Sequence, residues 1–486
     1  MKNKLISGFI LLSLFGATVN AQVRQPHSLY FMETVPQITQ MNPALQPRAN
    51  GYVILPGFNW DFILDFAIKD AYQKHGGKWV TMAEEEYDYN KLWRSIGKKS
   101  TMGNTAVDLD IIGFGFRTGN GYFSFGLSEH LTGNMALPSD LFRIIEKGLP
   151  DGTLLDFSPM RFQAMAYRQI SIGYSTKIND KLTVGVNVKP LFGQGAVTTK
   201  IDRFRINTGA QQWDLDAKGS IYASGVVDLK PEAGGTFDSF DDLEPRDFDN
   251  YETGDLIRDY GTSLNNPGIA FDLGAAYQVN ERLAVSAALN NLGFISWKND
   301  LYSTDFNGQY TFNGLYYDVS KEESINDRLD NLVDSLESAV NSIMGHDKFR
   351  TALPPVFHAG ATYQLTPAIS AGLLSRSVFW RKGIRQSFNT SINIQPYSFV
   401  SFSAGATWQV KGNVAAGIGL TGLIGPLQIY LLADGIPLSY SRITIVRKDD
   451  GGNITDPDEF SFIPDRMSYG TLRLGLNLIF GRHGYA

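Results

Sequence analysis

Apolar side chains occupy every second position in many segments of this chain. The stretch TLRLGLNLIF, residues 471–480, shows the pattern most plainly, because leucine or phenylalanine alternates there with mostly polar or small residues. On a β-strand, successive side chains point to opposite faces, so the pattern predicts a strand with one apolar face. That face must contact either a protein core or lipid. Its members are Leu472, Leu474, Leu476, Leu478 and Phe480.

The same alternation recurs along the chain in roughly fourteen to sixteen segments. Many run about 9–12 residues, which is long for strands of soluble proteins and suits tilted strands that cross a membrane. Some connections are tight turns and others are long and polar, an asymmetry typical of outer-membrane barrels. Aromatic residues near the predicted strand ends would form girdles at the membrane interfaces: Tyr52, Trp60, Tyr122, Tyr277, Trp297, Tyr363, Trp380, Tyr397 and Trp408.

These segments predict an all-β protein, a single antiparallel transmembrane β-barrel of about fourteen strands over residues 51–486, with an N-terminal lumenal segment and helical outer loops. Strands at membrane depth must close on themselves, because an open edge would leave backbone groups unpaired in lipid. In AVDLDIIGFGF the apolar phase slips between Ile111 and Ile112, which predicts a β-bulge. An exported soluble β-sandwich or propeller is the alternative. Long outer loops are predicted at about 61–104, 231–262, 321–350 and 447–466.

The N-terminus has the features of a secretory signal peptide. Two lysines precede an apolar run that ends near Ala17, and Val19-Asn20-Ala21 suits cleavage after Ala21. A membrane anchor is the alternative, although the apolar run is short for a spanning helix. Residues 1–21 are therefore predicted to be removed, and the mature chain is predicted to be an integral barrel of the cell outer membrane, in contact with its lipid.

Composition excludes several kinds of site. The 486 residues contain no cysteine, so disulfides, thiolate metal sites and cysteine nucleophiles are absent. A formal net charge of -6 without basic runs argues against nucleic-acid binding. The sequence has no nucleophile-elbow, zinc-protease or P-loop motif, and it predicts neither an enzyme nor a cofactor.

Three polar residues on the face opposite the apolar one are predicted to point into the lumen. His358 would do so from VFHAGATY, where Ser and Asp partners would make it a hydrolase residue. A hydrogen-bonded wall histidine is the alternative. Asp272 and Arg473 share this phase and would pair with wall or lumenal groups, because a lone charge in a narrow lumen is costly. In a wide, wet lumen they would instead tune what passes.

Several stretches resemble a family of membrane proteins. GIAFDLGAAYQV, NNLGFISW, VKPLFGQGA and the terminal LGLNLIFG resemble an uncharacterised family of Bacteroidota outer-membrane β-barrels that is distantly similar to PorV and FadL. YFMETVPQITQMNPALQPR also resembles the early Asn-Pro-Ala segment of PorV-like and PorP/SprF-like proteins. The resemblance implies location and architecture and no catalytic site.

Residues 22–50 precede the first predicted strand and are rich in proline. Asn42 and Pro43 suit a turn, because proline fixes its own φ and disfavours a helical conformation of the residue before it. The resemblance to FadL implies that this segment folds into the lumen as a plug. A periplasmic tail tucked under the barrel is the alternative.

The clearest predicted helix lies in an outer loop, at residues 321–345. Its apolar stripe either packs on the rim of its own barrel or forms a lid or a docking surface for another protein. The acidic loop 231–262 matches no EF-hand, and we expect a solvated surface loop rather than a calcium site. Candidate docking residues on the helix are Leu329, Leu332, Leu336 and Val340.

The leading functional prediction is non-enzymatic. By resemblance to FadL, the barrel would bind a hydrophobic or amphipathic small molecule or pass it across the outer membrane. The solute would leave sideways through a wall kink such as the slip at Ile111–Gly113. The first alternative is a scaffold that holds a protein partner of a type IX secretion or gliding apparatus, as PorV-like proteins do. A barrel-embedded hydrolase is the second.

Overall fold

A computed structural model describes the chain from residue 27 to residue 482, with gaps. The predicted signal peptide lies outside the described residues, as do the docking candidates Leu329, Leu332, Leu336 and Val340 and nearly all of the acidic loop. No helix of the described part is both long and apolar enough to cross a membrane. The described residues are 27–66, 70, 72–75, 78–81, 86–96, 100–148, 151–210, 212–225, 227–229, 243–245, 264–312, 341–380, 383–410, 414–445, 458–464 and 467–482.

Fourteen antiparallel strands of the described chain pair in sequence order and close into a β-barrel. The ring closes because the last strand also pairs with the first, with Trp60 opposite Leu472. The predicted fold class is thereby confirmed. The wall strands are β1 (Ala49–Leu64), β2 (Ser100–Thr118), β3 (Gly121–Pro138), β4 (Arg161–Lys177), β5 (Leu182–Thr208), β6 (Pro267–Gln278), β7 (Leu283–Trp297), β8 (Val356–Thr366), β9 (Ile369–Trp380), β10 (Gly383–Tyr397), β11 (Val400–Gln409), β12 (Val414–Ile424), β13 (Leu427–Ile436) and β14 (Tyr469–Arg482).

The outer face of the barrel is apolar because the period-2 pattern holds along most strands. On β14, Leu472, Leu474, Leu476 and Phe480 are exposed, whereas the alternate residues are buried inside. The outward side chains of other strands continue the apolar surface around the ring. They include Ile269, Phe271, Leu273, Ile392, Phe402, Ile418, Leu420, Ile429 and Leu431. So large an exposed apolar surface is typical of a barrel that faces lipid.

The predicted β-bulge lies in β2. The register with β3 shifts between Asp110 and Ile112, which confirms the slip seen in the sequence. As a result, the consecutive residues Ile111 and Ile112 are both exposed on the outside. A bulge leaves one residue without a ladder partner, so the wall is locally less tightly hydrogen-bonded here.

Three aromatic residues that were assigned to the interfacial girdles point inward instead. Tyr52 and Tyr122 stack on each other with ring centroids 6.1 Å apart, and Trp297 is fully buried. Position along a strand places a residue near the membrane interface, but its odd or even phase decides which face it joins. The structure does not describe the side chain of Trp380. The others face outward and are exposed: Trp60, Tyr277, Tyr363, Tyr397 and Trp408.

The two ends of the barrel differ. One end has tight turns, and the first wall strand begins there and the last one ends there. The other end carries the longer connections. Two short helices lie at the long-loop end, α1 (Tyr89–Ser95) and α2 (Ser139–Lys147). Because β1 runs to Leu64 and β2 begins at Ser100, both ends of the loop predicted at 61–104 belong to the wall. That connection also holds the hairpin Tyr72–His75 and Lys78–Thr81.

Strand β5 is long and continues past the ring at the long-loop end. Its extension pairs with Trp213–Ser224, and that strand pairs with Leu301–Phe312. Residues Asn341–Gly345 form the next strand of this extension, so the predicted helix 321–345 is wrong at its C-terminal end. Backbone pairing with a neighbouring strand overrides the local helical spacing there. The remaining strands outside the ring are Thr153–Asp156, Val227–Leu229, Leu243–Pro245, Phe349–Ala352, Tyr440–Ile445 and Asp458–Pro464.

Candidate functional site

Residues 27–48, here called the lumenal segment, lie inside the barrel, from Arg48 beside Gln395 near the short-turn end to His27 beside Tyr469 near the long-loop end. Two short 3-10 helices, Ser28–Phe31 and Pro36–Gln40, shape the segment. The first presents Leu29, Tyr30 and Phe31 to apolar side chains of the inner wall. Burial of these side chains stabilises the segment in place, since each large apolar side chain contributes about 1.5–3 kcal/mol when it is removed from water. The wall side chains of this cluster are Leu374, Tyr430 and Leu432.

Glycines on the inner wall leave the space that the lumenal segment fills. A Cβ atom at Gly360 would lie 2.6 Å from Cε1 of Tyr30, and one at Gly372 would lie 2.7 Å from Cγ of Phe31. A Cβ at Gly185 would overlap the backbone of Pro43. The small inner faces therefore hold the protein's own segment.

Asn42 and Pro43 form the turn that fits the segment against β6 and β7. The side-chain oxygen of Asn42 accepts a hydrogen bond from the Ala44 amide at 2.9 Å, an arrangement typical of Asx turns. Its Nδ2 donates to the hydroxyl of Tyr30 at 3.1 Å and to the carbonyl of Ala287 at 3.3 Å. Burial raises the pKa of the Tyr30 phenol, which therefore stays neutral at physiological pH and hydrogen-bonds to Ser286.

Arg473 anchors the second 3-10 helix of the segment. Its guanidinium donates to Gln40 Oε1 at 2.8 Å and to Asp110 Oδ2 at 2.9 Å. Nε donates to the hydroxyl of Tyr430 at 3.3 Å. Arg473 and Asp110 are both buried, so the ion pair lies in a setting where removal of one partner leaves an uncompensated charge.

Asp272 lies at a second irregularity of the wall, between β6 and β7. Its carboxylate forms an ion pair with Lys189 Nζ at 2.5 Å. It also accepts a hydrogen bond from the backbone amide of Asn291 at 2.8 Å. Asn187 Nδ2 donates to the same carboxylate at 3.2 Å. Lys189 also reaches Asn291 Oδ1 at 3.1 Å. These bonds compensate the buried charge, as a narrow lumen requires.

His358 points inward but forms no hydrogen bond in the described part of the chain. Neither ring nitrogen has a partner, and the ring packs beside Tyr30 at a centroid distance of 5.6 Å. A hydrogen-bonded wall histidine stays a prediction, with no partner for it among the described residues. Among the described residues no serine or aspartate is hydrogen-bonded to His358, so this part of the structure assembles no hydrolase group around it.

A different histidine joins a serine and an aspartate. His130 Nδ1 lies 2.5 Å from Asp108 Oδ1, and His130 Nε2 lies 2.8 Å from the hydroxyl of Ser128. All three side chains are buried on the inner face of β2 and β3. The alternation of residue types did not reveal this row of three side chains. The signal for it is Ser128-x-His130 on one strand opposite Asp108 on the next, and it depends on a strand register that sequence alone does not give.

A cavity lies between the lumenal segment and the wall at the bulge of β2. Thr39 and Gln40 line it from the segment, and Ile112 and Leu127 line it from the two bulge strands. Ser128 also belongs to its lining. Its enclosed volume is about 30 Å³, room for about one water molecule, so a larger molecule needs the surrounding side chains to move. The cavity thus connects lumenal polar groups with the apolar wall at its irregular point.

Metal binding has no support in the described residues. These residues contain no group of three or more His, Asp or Glu side chains placed to hold an ion. The carboxylates of Asp272 and Asp110 are instead paired with Lys189 and Arg473.

Comparison with known sequences gives one family. The model of a family described as a family of unknown function (DUF5723) matches residues 43–434, which is most of the chain. The matched range begins at Pro43, the second residue of the turn, and ends within β13. No curated protein sequence matches the chain.

Solved structures of similar architecture are bacterial barrels. The toluene transporter TbuX of Ralstonia pickettii is 11% identical, with 92% of this chain and 95% of that chain covered and a TM-score of 0.41. A FadL homologue of Pseudomonas aeruginosa is 11% identical, with coverage of 90% and 92% and a TM-score of 0.39. The toluene transporter TodX of P. putida is 10% identical, with coverage of 96% and 98% and a TM-score of 0.42. The closed ring of strand pairs establishes the barrel independently of these scores.

Proposed function

We propose that this chain, which belongs to the DUF5723 family, is an outer-membrane barrel that binds a hydrophobic or amphipathic solute or passes it across the membrane. The closed ring and its outward apolar surface support insertion in a bilayer, because that surface would otherwise be exposed to water. Removal of residues 1–21 during export is part of this proposal. The proposal also includes an origin in Bacteroidota and a distant relation to PorV and FadL, both of which the sequence resemblance implies.

The lumenal segment acts as a plug in this proposal. It lies in the lumen, and buried hydrogen bonds such as that between Gln37 and Asn477 hold it. The inner glycines fit it closely, so a solute of any size would have to displace it to travel straight along the axis. A route that avoids the plug therefore leaves through the wall.

The cavity at the bulge of β2 is the observation that carries the proposal. It joins Gln40 of the plug to Ile112 and Leu127 of the wall. An amphipathic solute suits such a place, because its polar group would meet the lumenal side chains while its apolar part would meet the bulge and the lipid beyond. We expect the solute to enter from the long-loop end and to leave sideways here.

Filling this cavity tests the route. Gly126 lines the cavity, and a Cβ there would meet nothing closer than Cβ of Ser171 at 4.0 Å, so Gly126→Leu adds bulk with little strain. Gly422→Leu is the matched control, because a Cβ there has no atom within 4 Å and the site lies elsewhere in the wall. Uptake of laurate and of toluene would be measured in cells that express each variant at equal outer-membrane levels.

We expect Gly126→Leu to reduce uptake at least about tenfold, a barrier increase of about 1.4 kcal/mol, and Gly422→Leu to leave it unchanged. If Gly126→Leu transports both solutes as the wild type does, the lateral route is wrong. If cells without the protein take up both solutes as fast as cells with it, the transport proposal itself is wrong for these solutes.

A scaffold is the second candidate function. The observation that favours it is the sheet extension beyond the ring, in which Trp213–Ser224 and Leu301–Phe312 continue from β5. Such a platform at the long-loop end would offer a surface to a protein partner of a type IX secretion or gliding apparatus. Gentle extraction from native outer membranes followed by mass spectrometry separates the two candidates. A near-stoichiometric protein partner favours the scaffold, and a bound amphiphile without one favours transport.

A further inference from the structure

Ser128, His130 and Asp108 form a buried row of side chains beside the bulge cavity. His130 stands between the other two, with its Nδ1 at 2.5 Å from Asp108 Oδ1 and its Nε2 at 2.8 Å from Ser128 Oγ. In this geometry an aspartate orients a histidine, and the histidine can take a proton from the serine hydroxyl. Hydrogen-bond distances of this length meet the geometric requirement for a nucleophile and its base.

The strand register builds the row. Ser128 and His130 are two residues apart on β3, so both point to the inner face, and Asp108 is the direct cross-strand partner of His130. Asn59 Nδ2 donates to the other carboxylate oxygen of Asp108 at 3.1 Å. The ring of Tyr167 packs on His130 at a centroid distance of 4.9 Å. These contacts fix the orientation of the imidazole.

Ser128 is the member of the row that lines the bulge cavity. The same cavity is lined by Gln169, Ser171 and Lys189, which bear N–H and O–H groups of the kind that stabilise an oxyanion. Its other boundary includes Ile112, which is 49% exposed on the outer face of the barrel. A long acyl chain could therefore lie toward lipid while its carbonyl group lies near the serine.

We propose that Ser128, His130 and Asp108 form a serine-hydrolase site that cleaves acyl esters of amphiphiles at the bulge. Ser128 is the nucleophile, His130 is the general base and then the general acid, and Asp108 orients His130. This departs from the prediction that the chain is not an enzyme. It does not rest on the transport proposal, because the substrate reaches the cavity from the lipid side.

The reaction follows acyl transfer to water. Ser128 Oγ forms a bond to the acyl carbonyl carbon while its proton moves to His130 Nε2. The bond between that carbon and the alcohol oxygen breaks, and the alcohol leaves with the proton from His130. Water then attacks the acyl-enzyme with His130 as base, which releases the carboxylic acid and restores the Ser128 hydroxyl. Water is the only co-reactant, and no electrons are exchanged.

The test uses the full mature barrel in detergent micelles, with a long-chain fluorophosphonate as covalent probe and p-nitrophenyl decanoate as substrate. Ser128→Ala removes the nucleophile, and Asp108→Asn removes the orienting charge. Ser403→Ala is the matched control, since Ser403 is an equally buried serine of the inner wall that does not line the cavity and donates its hydrogen bond to Asn393. Heat-modifiable migration on a gel confirms that each variant retains its barrel.

We expect the probe to label Ser128 in the wild type and in Ser403→Ala, as shown by mass spectrometry of the labelled peptide. Ser128→Ala should lose ester hydrolysis by at least about 100-fold, and Asp108→Asn by about 10²- to 10⁴-fold. Absence of both labelling and hydrolysis in a folded wild type would overturn the proposal. Equal labelling of the folded Ser128→Ala variant would do so as well. Both results leave the uptake measurements on Gly126→Leu unaffected, so the two proposals fail separately.

Discussion

Gln37 of the lumenal segment and Asn477 of β14 exchange two hydrogen bonds through their side-chain amides. Gln37 Nε2 donates to Asn477 Oδ1 at 2.8 Å, and Asn477 Nδ2 donates to Gln37 Oε1 at 3.1 Å. Both side chains are fully buried. Asn477 also donates to Gln428 Oε1 at 2.9 Å, and Gln428 donates to the carbonyl of Thr34 at 2.8 Å. The segment is thus bound to the wall by a polar network as well as by its apolar side chains.

We expect Asn477→Ala to loosen the lumenal segment without unfolding the barrel. The change leaves the buried Gln37 amide without its partner, at a cost of about 1–3 kcal/mol. Hydrogen exchange of residues 27–48 should become faster, while exchange in the wall strands stays unchanged. Asn389→Ala is the control, because Asn389 is equally buried but bonds to Thr407 of the neighbouring strand. Unchanged exchange in the segment would show that the amide pair does not hold it.

The ion pair of Arg473 and Asp110 gives a second prediction. Arg473→Met should destabilise the barrel by about 3–5 kcal/mol, because it leaves the buried carboxylate of Asp110 without its cation. Adding Asp110→Asn should recover part of this loss, since the remaining charge is then also removed. Urea unfolding of the single and double variants in micelles, followed by tryptophan fluorescence, measures the coupling. Strictly additive effects would contradict a direct pair.

Displacing the plug should open the barrel to ions. Gly185→Leu places a side chain where the backbone of Pro43 lies, so the lumenal segment cannot keep its position. We expect single-channel conductance in planar bilayers to rise clearly above that of the wild type. Gly422→Leu serves again as the control, because open space surrounds that position. If Gly185→Leu conducts no better than the control, the segment does not seal the lumen.

A reversible disulfide distinguishes a lateral route from plug movement. The hydroxyl oxygens of Thr34 and Ser401 lie 3.1 Å apart, so cysteines at both positions are close enough to pair after small side-chain rotations. The chain has no other cysteine. We expect laurate uptake to be the same in the oxidised and reduced forms, because the bulge cavity does not require the plug to move. Loss of uptake on oxidation, with recovery on reduction, would show that it does.

The alternation of residue types was enough to predict the wall. Leu474 and Leu476 face outward, and Arg473 and Asn477 face inward, because a strand has a period of two whatever its neighbours are. The phase slip at Ile111 and Ile112 likewise marked the bulge, since an extra residue shifts the phase locally. Tyr52 and Trp297 were misplaced because their position near a strand end was used instead of their phase.

Relationships between distant residues needed the tertiary structure. Asn341–Gly345 reads as the end of a helix, but it pairs with Leu301–Phe312, and only the pairing of strands decides that. His358 was the candidate histidine by its inward phase, yet His130 is the one with Ser128 and Asp108 as partners.

The sequence by itself therefore determined that the chain forms strands with an apolar and a polar face, because side-chain direction along a strand is a local property. Which inward residues meet was decided by the tertiary structure. Closure of the ring between β1 and β14 and the register of β2 against β3 join residues that lie far apart or on separate strands. The fit of the lumenal segment against Gly185 and Gly360 depends on the width of the closed barrel, which no local pattern records.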